Sequence, residues 1–303
     1  MLGVRDEAGT AVKGRATAAI LLGATLLGFS AIFVKWAVAG GATALTVGFY
    51  RMLVAVPGAW LLARRAGHLG APRGRAWALA AGVAFFLDLA LWHVAMHETT
   101  AANATLLVGG LSPIWVALFS FFVLGRLLGP LGWVGQLAGL AGALVLALAR
   151  GARGGGGTGE AIAIAASFCY AAFTLILSRA RATLNAPQAL FWMSLGCLAC
   201  FGVGVVVSGH PLTGYDRRAW LSLVGLGLVV QLLAWWLNSW GLGHVEAAAA
   251  ALSLQMQQVA TLFLAAWLLS EPLRPLGLLG GGLLVGGIVL VSRGGRARGP
   301  SVA

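Results

Sequence analysis

Residues 76–97 read AWALAAGVAFFLDLALWHVAMH. As helix, an apolar run of about 20 residues crosses the hydrocarbon core of a bilayer. This run carries one carboxylate, Asp88, near its middle. A charge at that depth is costly in hydrocarbon, so it faces the protein interior or water. The composition of the whole chain agrees. Its 303 residues are 60% hydrophobic and only 9% charged, whereas a soluble domain carries about 25% charged residues. A water-soluble fold of this size cannot hide so much apolar side chain. The sequence therefore predicts a polytopic integral membrane protein.

Nine further runs of similar length flank this one, giving spans at 16–38, 43–63, 76–97, 101–124, 131–149, 160–179, 187–208, 219–242, 247–269 and 275–292. The fold class expected is all-α, with ten transmembrane helices and short loops. The ten-residue segments of alternating polarity that mark a transmembrane β-barrel are absent from the sequence. The first run exceeds a cleaved signal peptide in length and no small-residue cleavage site follows it, so it reads as a retained helix. With the N-terminus cytoplasmic, thirteen Lys and Arg fall in inside segments and five in outside ones. That bias places both termini in the cytoplasm of a cell, or inner, membrane. The net charge of +12 is then a topogenic signal, and nucleic acid is not an expected partner. The bilayer and a small-molecule substrate are.

The opening stretch also has a second copy. Arg75-Ala76-Trp77 matches Arg218-Ala219-Trp220 at an offset of 143, and Gly82 then meets Gly225 and Trp92 meets Trp235. Further on, Pro130-Leu131-Gly132 matches Pro275-Leu276-Gly277 at an offset of 145, with Gly135 on Gly280, Gly142 on Gly287 and Ala102 on Ala247. The glycine-rich linker Gly151–Gly159 separates the copies, which gives units at 1–150 and 158–293. Five spans per copy is an odd number, so the second copy enters the membrane inverted. A 5+5 inverted repeat is a common build for secondary transporters, with the substrate site near the midplane at the repeat interface.

At this point the chain resembles the drug/metabolite transporter superfamily, and within it the EamA family. The likeness is carried by Gly28-Phe29-Ser30-Ala31-Ile32-Phe33-Val34-Lys35-Trp36 in helix 1 and Phe49-Tyr50-Arg51 in helix 2. Helix 4 adds Thr100-Ala101-Ala102-Asn103-Ala104, Leu111-Ser112-Pro113 and Leu124-Gly125, and helix 9 ends Leu268-Leu269-Ser270-Glu271-Pro272-Leu273. Arg126 stands where the family usually has Glu after helix 4, and Gln258 where helix 9 usually has proline. The resemblance implies a ten-helix drug/metabolite transporter fold and an exporter of amino acids or other metabolites.

Several residues are candidates for lining the pathway. Asp88, Trp92 and Ala95 share a helical face by i, i+4, i+7 spacing, and the repeat sets Gln231, Trp235 and Asn238 on the matching face of helix 8. Two pseudo-symmetric walls of a cavity are therefore expected, with Tyr170 as a further aromatic surface. Tryptophan also serves as a packing residue or interfacial anchor. Asp88 requires a partner, for which Lys35, His93 or a substrate amine qualify; Lys35 equally suits snorkelling to the interface. Arg51 reads as structural. Pro113 removes a backbone donor within helix 4, which hydrocarbon tolerates only against protein or a wet cavity. In LSLQMQQVA, residues 252–260, Gln255 and Gln258 share a face and are assigned to the cavity at the depth of Pro113. Gln257 is assigned to an interhelical bond.

Other patterns are weaker. His93 and His97 have the i, i+4 spacing of a metal pair, with Glu98 beside them, but the remaining histidines are scattered. Cys197-Leu198-Ala199-Cys200 lies in an apolar run, which suits packing rather than redox chemistry. Gly135-x3-Gly139, Gly277-x3-Gly281 and Gly282-x3-Gly286 permit close helix approach, either inside one chain or in a homodimer. No phosphate-binding Gly-Lys-Ser/Thr loop occurs in the sequence. The function expected is a secondary exporter of small metabolites, foremost amino acids, aromatic or apolar ones included, working by alternating access without cofactor. A drug, cation or sugar-nucleotide transporter of the same superfamily is the alternative, and a metal-dependent membrane enzyme is the other class considered.

Overall fold

The computed structural model describes residues 2–67, 69, 71–124, 129–148, 157–242, 256–270 and 275–293. Those residues form helices: α1 Leu2–Ala39, α2 Ala44–Arg65, α3 Pro72–Glu98, α4 Ala101–Leu124, α5 Pro130–Leu148, α6 Thr158–Arg181 and α7 Ala186–Ser208. Next comes α8, residues 217–242, in which a π-helical segment Leu226–Ala234 joins Arg217–Gly225 to Trp235–Leu242. Then follow α9, Met256–Leu269, and α10, Pro275–Arg293. Among the described residues, six helices are long and apolar enough to cross a membrane: Gly14–Ala39, Ala44–Arg65, Arg73–Glu98, Thr158–Arg181, Ala186–Ser208 and Arg217–Asn238. α1 starts well before the apolar run expected at 16–38.

Local chemistry sets the helix starts. Thr43 and Thr46 form a reciprocal capping box at α2, and Asn185 and Gln188 do the same at α7. The Asp216 carboxylate accepts from Ala219 N at 2.6 Å and caps α8. Each satisfies amide donors that would otherwise be orphaned at a helix start. α7 ends at Gly209 with φ +64, the left-handed conformation in which glycine carries no steric penalty.

The helices pair in a definite pattern. α3 packs along α6 and α7, α2 along α7 and α8, α4 along α6, and α1 along α8 and α9, while α5 pairs with α10. Small residues make the closest crossings. A Cβ on Gly82 of α3 would stand 2.3 Å from the Met193 carbonyl of α7, and one on Gly287 of α10 would stand 2.5 Å from the Gly135 carbonyl of α5. The face of Gly135 and Gly139 therefore packs within the chain. Among the described residues, a Cβ added at Gly277, Gly282 or Gly286 would meet no atom of a neighbouring helix within 4 Å.

Candidate functional site

The middle of the bundle holds a polar network among apolar neighbours. Arg51 of α2, 3% exposed, donates from Nε to Gln231 Oε1 at 3.0 Å and from Nη1 to Ser30 Oγ of α1 at 3.1 Å. Gln231 is fully buried within the π segment, and its Nε2 donates to Ser194 Oγ of α7 at 3.3 Å. Four helices thus meet through one guanidinium and one amide. A buried charge is tolerated when hydrogen bonds replace its hydration, and this network supplies them. The π segment contributes geometrically. An i→i+5 turn is unusual and often marks a functional site. Here it carries Gly227, where a Cβ would lie 2.5 Å from Val54 and 3.2 Å from the Arg51 carbonyl. Its absence lets α2 and α8 close on each other at the depth of the network.

Asp88 lies beside this network. It is 3% exposed, and among the described residues its Oδ1 has no hydrogen-bond partner. Arg51, Tyr170, Cys169 and Cys197 are within its electrostatic reach. One turn below, the Arg51 guanidinium stands 5.9 Å from the ring of Phe85. Phe85 stacks on Phe173 of α6 at 4.6 Å, and the Trp235 ring meets both edge-on at 6.2 Å. Tyr170 lies 5.5 Å from Phe173. The result is an aromatic box with a guanidinium and an unengaged carboxyl oxygen at one side. The buried Trp235 Nε1 has no acceptor among the described residues. By helical rise, the level of Arg51 and Asp88 lies about 10–15 Å below the helix ends at Ala44 and Glu98, near the middle of a hydrocarbon core.

The residues singled out in the sequence divide into groups. Asp88, Gln231, Trp235 and Tyr170 come together. Trp92 is buried in the apolar cluster, 5.5 Å from the His93 ring. Asn238 is 1% exposed, but its amide lies against α1, where a Cβ on Gly23 would stand 2.5 Å from Asn238 Oδ1. Lys35 does not turn to Asp88. Its ammonium donates to the carbonyl of Met96 and, at 2.9 Å, to that of Thr99, which caps the C-terminus of α3 where cations are favoured. Thr99 Oγ1 in turn donates to Glu160 Oε1 at 2.7 Å. Gln255 lies outside the described residues. Pro113 and Gln258 fall within α4 and α9, with side chains outside the described residues. The interhelical bond expected of Gln257 is made by Thr261, whose Oγ1 donates to Gly28 O of α1 at 3.2 Å and to Gln257 O at 2.9 Å. His93 spends Nδ1 on the Ala44 carbonyl at 3.0 Å. Among the described residues, no group of three His, Cys, Asp or Glu converges on a metal position.

The family comparison gives this bundle its class of function. The family model for EamA-like transporters matches residues 15–148 and again 157–293. The chain belongs to the EamA-like transporter family. It is thus a multi-pass membrane protein of a family of small-solute transporters. No curated protein matches this EamA-like chain in sequence. Among 28 matching chains of solved structures, one described as "Crystal structure of protein" superposes with a TM-score of 0.66 at 21% identity. The match covers 91% of this transporter and 95% of that chain, and at this identity it speaks to fold alone.

Arg51, which the sequence reads as structural, and Ser30, Ser194, Phe85 and Phe173, which it does not single out as pathway residues, also stand at this centre of the EamA-like transporter. The sequence held a signal for some of them. The offset of 143 that pairs Asp88 with Gln231 also pairs Arg51 with Ser194, so three members of the network and the neighbouring Asp88 form two repeat-related pairs. No comparable signal marks the phenylalanines, since apolar rings are common in every span.

Proposed function

We propose that this protein is a secondary transporter of the inner membrane, exporting small metabolites and foremost amino acids with apolar or aromatic side chains. The observation that carries this reading is the aromatic box of Phe85, Phe173 and Trp235 beside the Arg51 guanidinium and the free Asp88 oxygen. A zwitterion has three features to match: an anionic end for the guanidinium, a cationic end for the carboxyl, and a side chain for the rings. Pockets of apolar lining with a few placed polar groups are the usual form of small-molecule sites. The cation of the pair is Arg51 in this reading, in place of the Lys35 expected from sequence.

Alternating access follows from a ten-span, 5+5 inverted arrangement with both termini cytoplasmic. Its support is the packing pattern. Exchanging each helix with the one five places away turns α1–α8 into α6–α3, α1–α9 into α6–α4 and α2–α8 into α7–α3, while α2–α7 and α5–α10 map onto themselves. The site lies where the self-mapped pair α2–α7 meets α3 and α8, as inverted-repeat transporters place it.

The test is counterflow in liposomes, with amino acids, lipophilic cations and sugars each offered against preloaded solute. Aromatic and branched apolar amino acids should exchange, and Trp235→Ala should cut that exchange severalfold while leaving folded protein. Exchange of lipophilic cations alone would shift the reading to a drug transporter, because rings plus a carboxyl also bind cations. Absence of exchange for every solute, or an unaffected Trp235→Ala, would overturn it.

A further inference from the structure

The Arg51 guanidinium and the Asp88 carboxyl share one buried region, yet Arg51 spends its bonds elsewhere. An arginine beside a buried carboxylate ordinarily closes on it in a two-pronged, charge-assisted pair. Here the Nε edge goes to Gln231 Oε1 and Nη1 goes to Ser30, while Asp88 Oδ1 accepts nothing. The bond from Gln231 Nε2 to Ser194 fixes the amide so that its oxygen faces Arg51. The π segment brings Gln231 close to α2.

We infer that Gln231 is a positioning residue that holds Arg51 off Asp88, and so keeps the Asp88 oxygen open for a cationic or N–H group of the solute. The role given to the solute rests on the transport reading above; the spacing of Arg51 from Asp88 does not. Repeat symmetry strengthens the assignment. Gln231 occupies in the second half the position that Asp88 occupies in the first. A neutral amide there anchors the guanidinium without neutralising it, whereas a second carboxylate would compete with Asp88 for it.

The experiment reads Asp88 directly. Purified full-length protein is treated with dicyclohexylcarbodiimide, an apolar reagent whose addition to a carboxyl group leaves a stable acylurea, and the Asp88 peptide is followed by mass spectrometry. The wild type should be labelled at Asp88. In Gln231→Leu the released guanidinium closes on Asp88, and labelling should fall about tenfold, the change expected when a charge-assisted pair forms. Gln231→Glu still accepts from Arg51 and should restore labelling. Ser194→Ala loosens the Gln231 amide and should give a smaller fall; it carries the test if Gln231→Leu does not fold. An unlabelled wild type, unchanged labelling in both Gln231→Leu and Ser194→Ala, or failure of Gln231→Glu to restore it, overturns the inference. Labelling that follows the expected order without any amino-acid exchange by the wild type would instead strike down the transport reading and leave Gln231's role standing.

Discussion

Lys35 and Arg51 both lie inside apolar spans, and their surroundings give them opposite roles. Lys35 ends on the last carbonyls of α3, where a point charge meets the negative end of a helix dipole. Lys35→Ala should therefore lower stability by about 1 kcal/mol, the upper part of the range for such a contact. Thermal unfolding in detergent measures this, with solute preference in counterflow unchanged; altered preference would place Lys35 in the pathway. Arg51 instead uses the breadth of its fork, reaching Gln231 and Ser30 on two different helices. Arg51→Lys keeps the charge and loses that geometry. Hydrogen bonds to charged groups contribute about 1.5–3 kcal/mol, so the variant should exchange amino acids about tenfold more slowly or worse. Exchange at the wild-type rate would show that charge alone suffices. In the sequence Lys35 suited a partnership with Asp88 or snorkelling, and Arg51 read as structural. Only their neighbours, 61 residues away for the Met96 carbonyl and 180 for Gln231, tell the cap from the network.

Helix pairing depends on where side chains are missing. α3 and α7 cross so closely that Gly82 faces the Met193 carbonyl, and Gly196 faces that of Leu79 at 2.7 Å from an added Cβ. Gly82→Val should cost about 1–3 kcal/mol, as overpacking does, and lower the recovery of folded protein. Gly282→Ala, on an open face of α10, should be neutral. Thermal unfolding of the two variants side by side checks both, and equal behaviour would contradict the packing described. The glycines were legible in the sequence as close-approach positions, but their partners were not. Gly135-x3-Gly139 suited a homodimer as well as an internal contact until Gly287 was seen against it. The polar run of α9 shows the same limit. Its bond to α1 comes from Thr261, because Gly28 offers its carbonyl at that residue's level rather than at Gln257.

For the molecule as a whole, the proposed ten-span inverted arrangement, oriented by the basic bias of its loops, predicts that reporters fused to either terminus respond as cytoplasmic, and that a cysteine probe near Thr99 is reached from the opposite side. A terminus found outside would reverse the orientation. Composition and span length determined by themselves that this chain lives in a bilayer, because apolar area on that scale has nowhere else to go. The offset of 143 determined which residues are related, and so made Asp88, Gln231, Trp92 and Trp235 visible together. Periodicity turned all four inward. It could not decide which of them face one another, since that depends on crossings among helices far apart in the chain. The tertiary structure decided that Trp235 joins Phe85 and Phe173 while Trp92 packs beside His93. It also decided that Arg51, held by an amide on a π turn, stands at the centre. Burial of a charge is written in a sequence as a cost, and what offsets that cost is fixed only when distant helices meet.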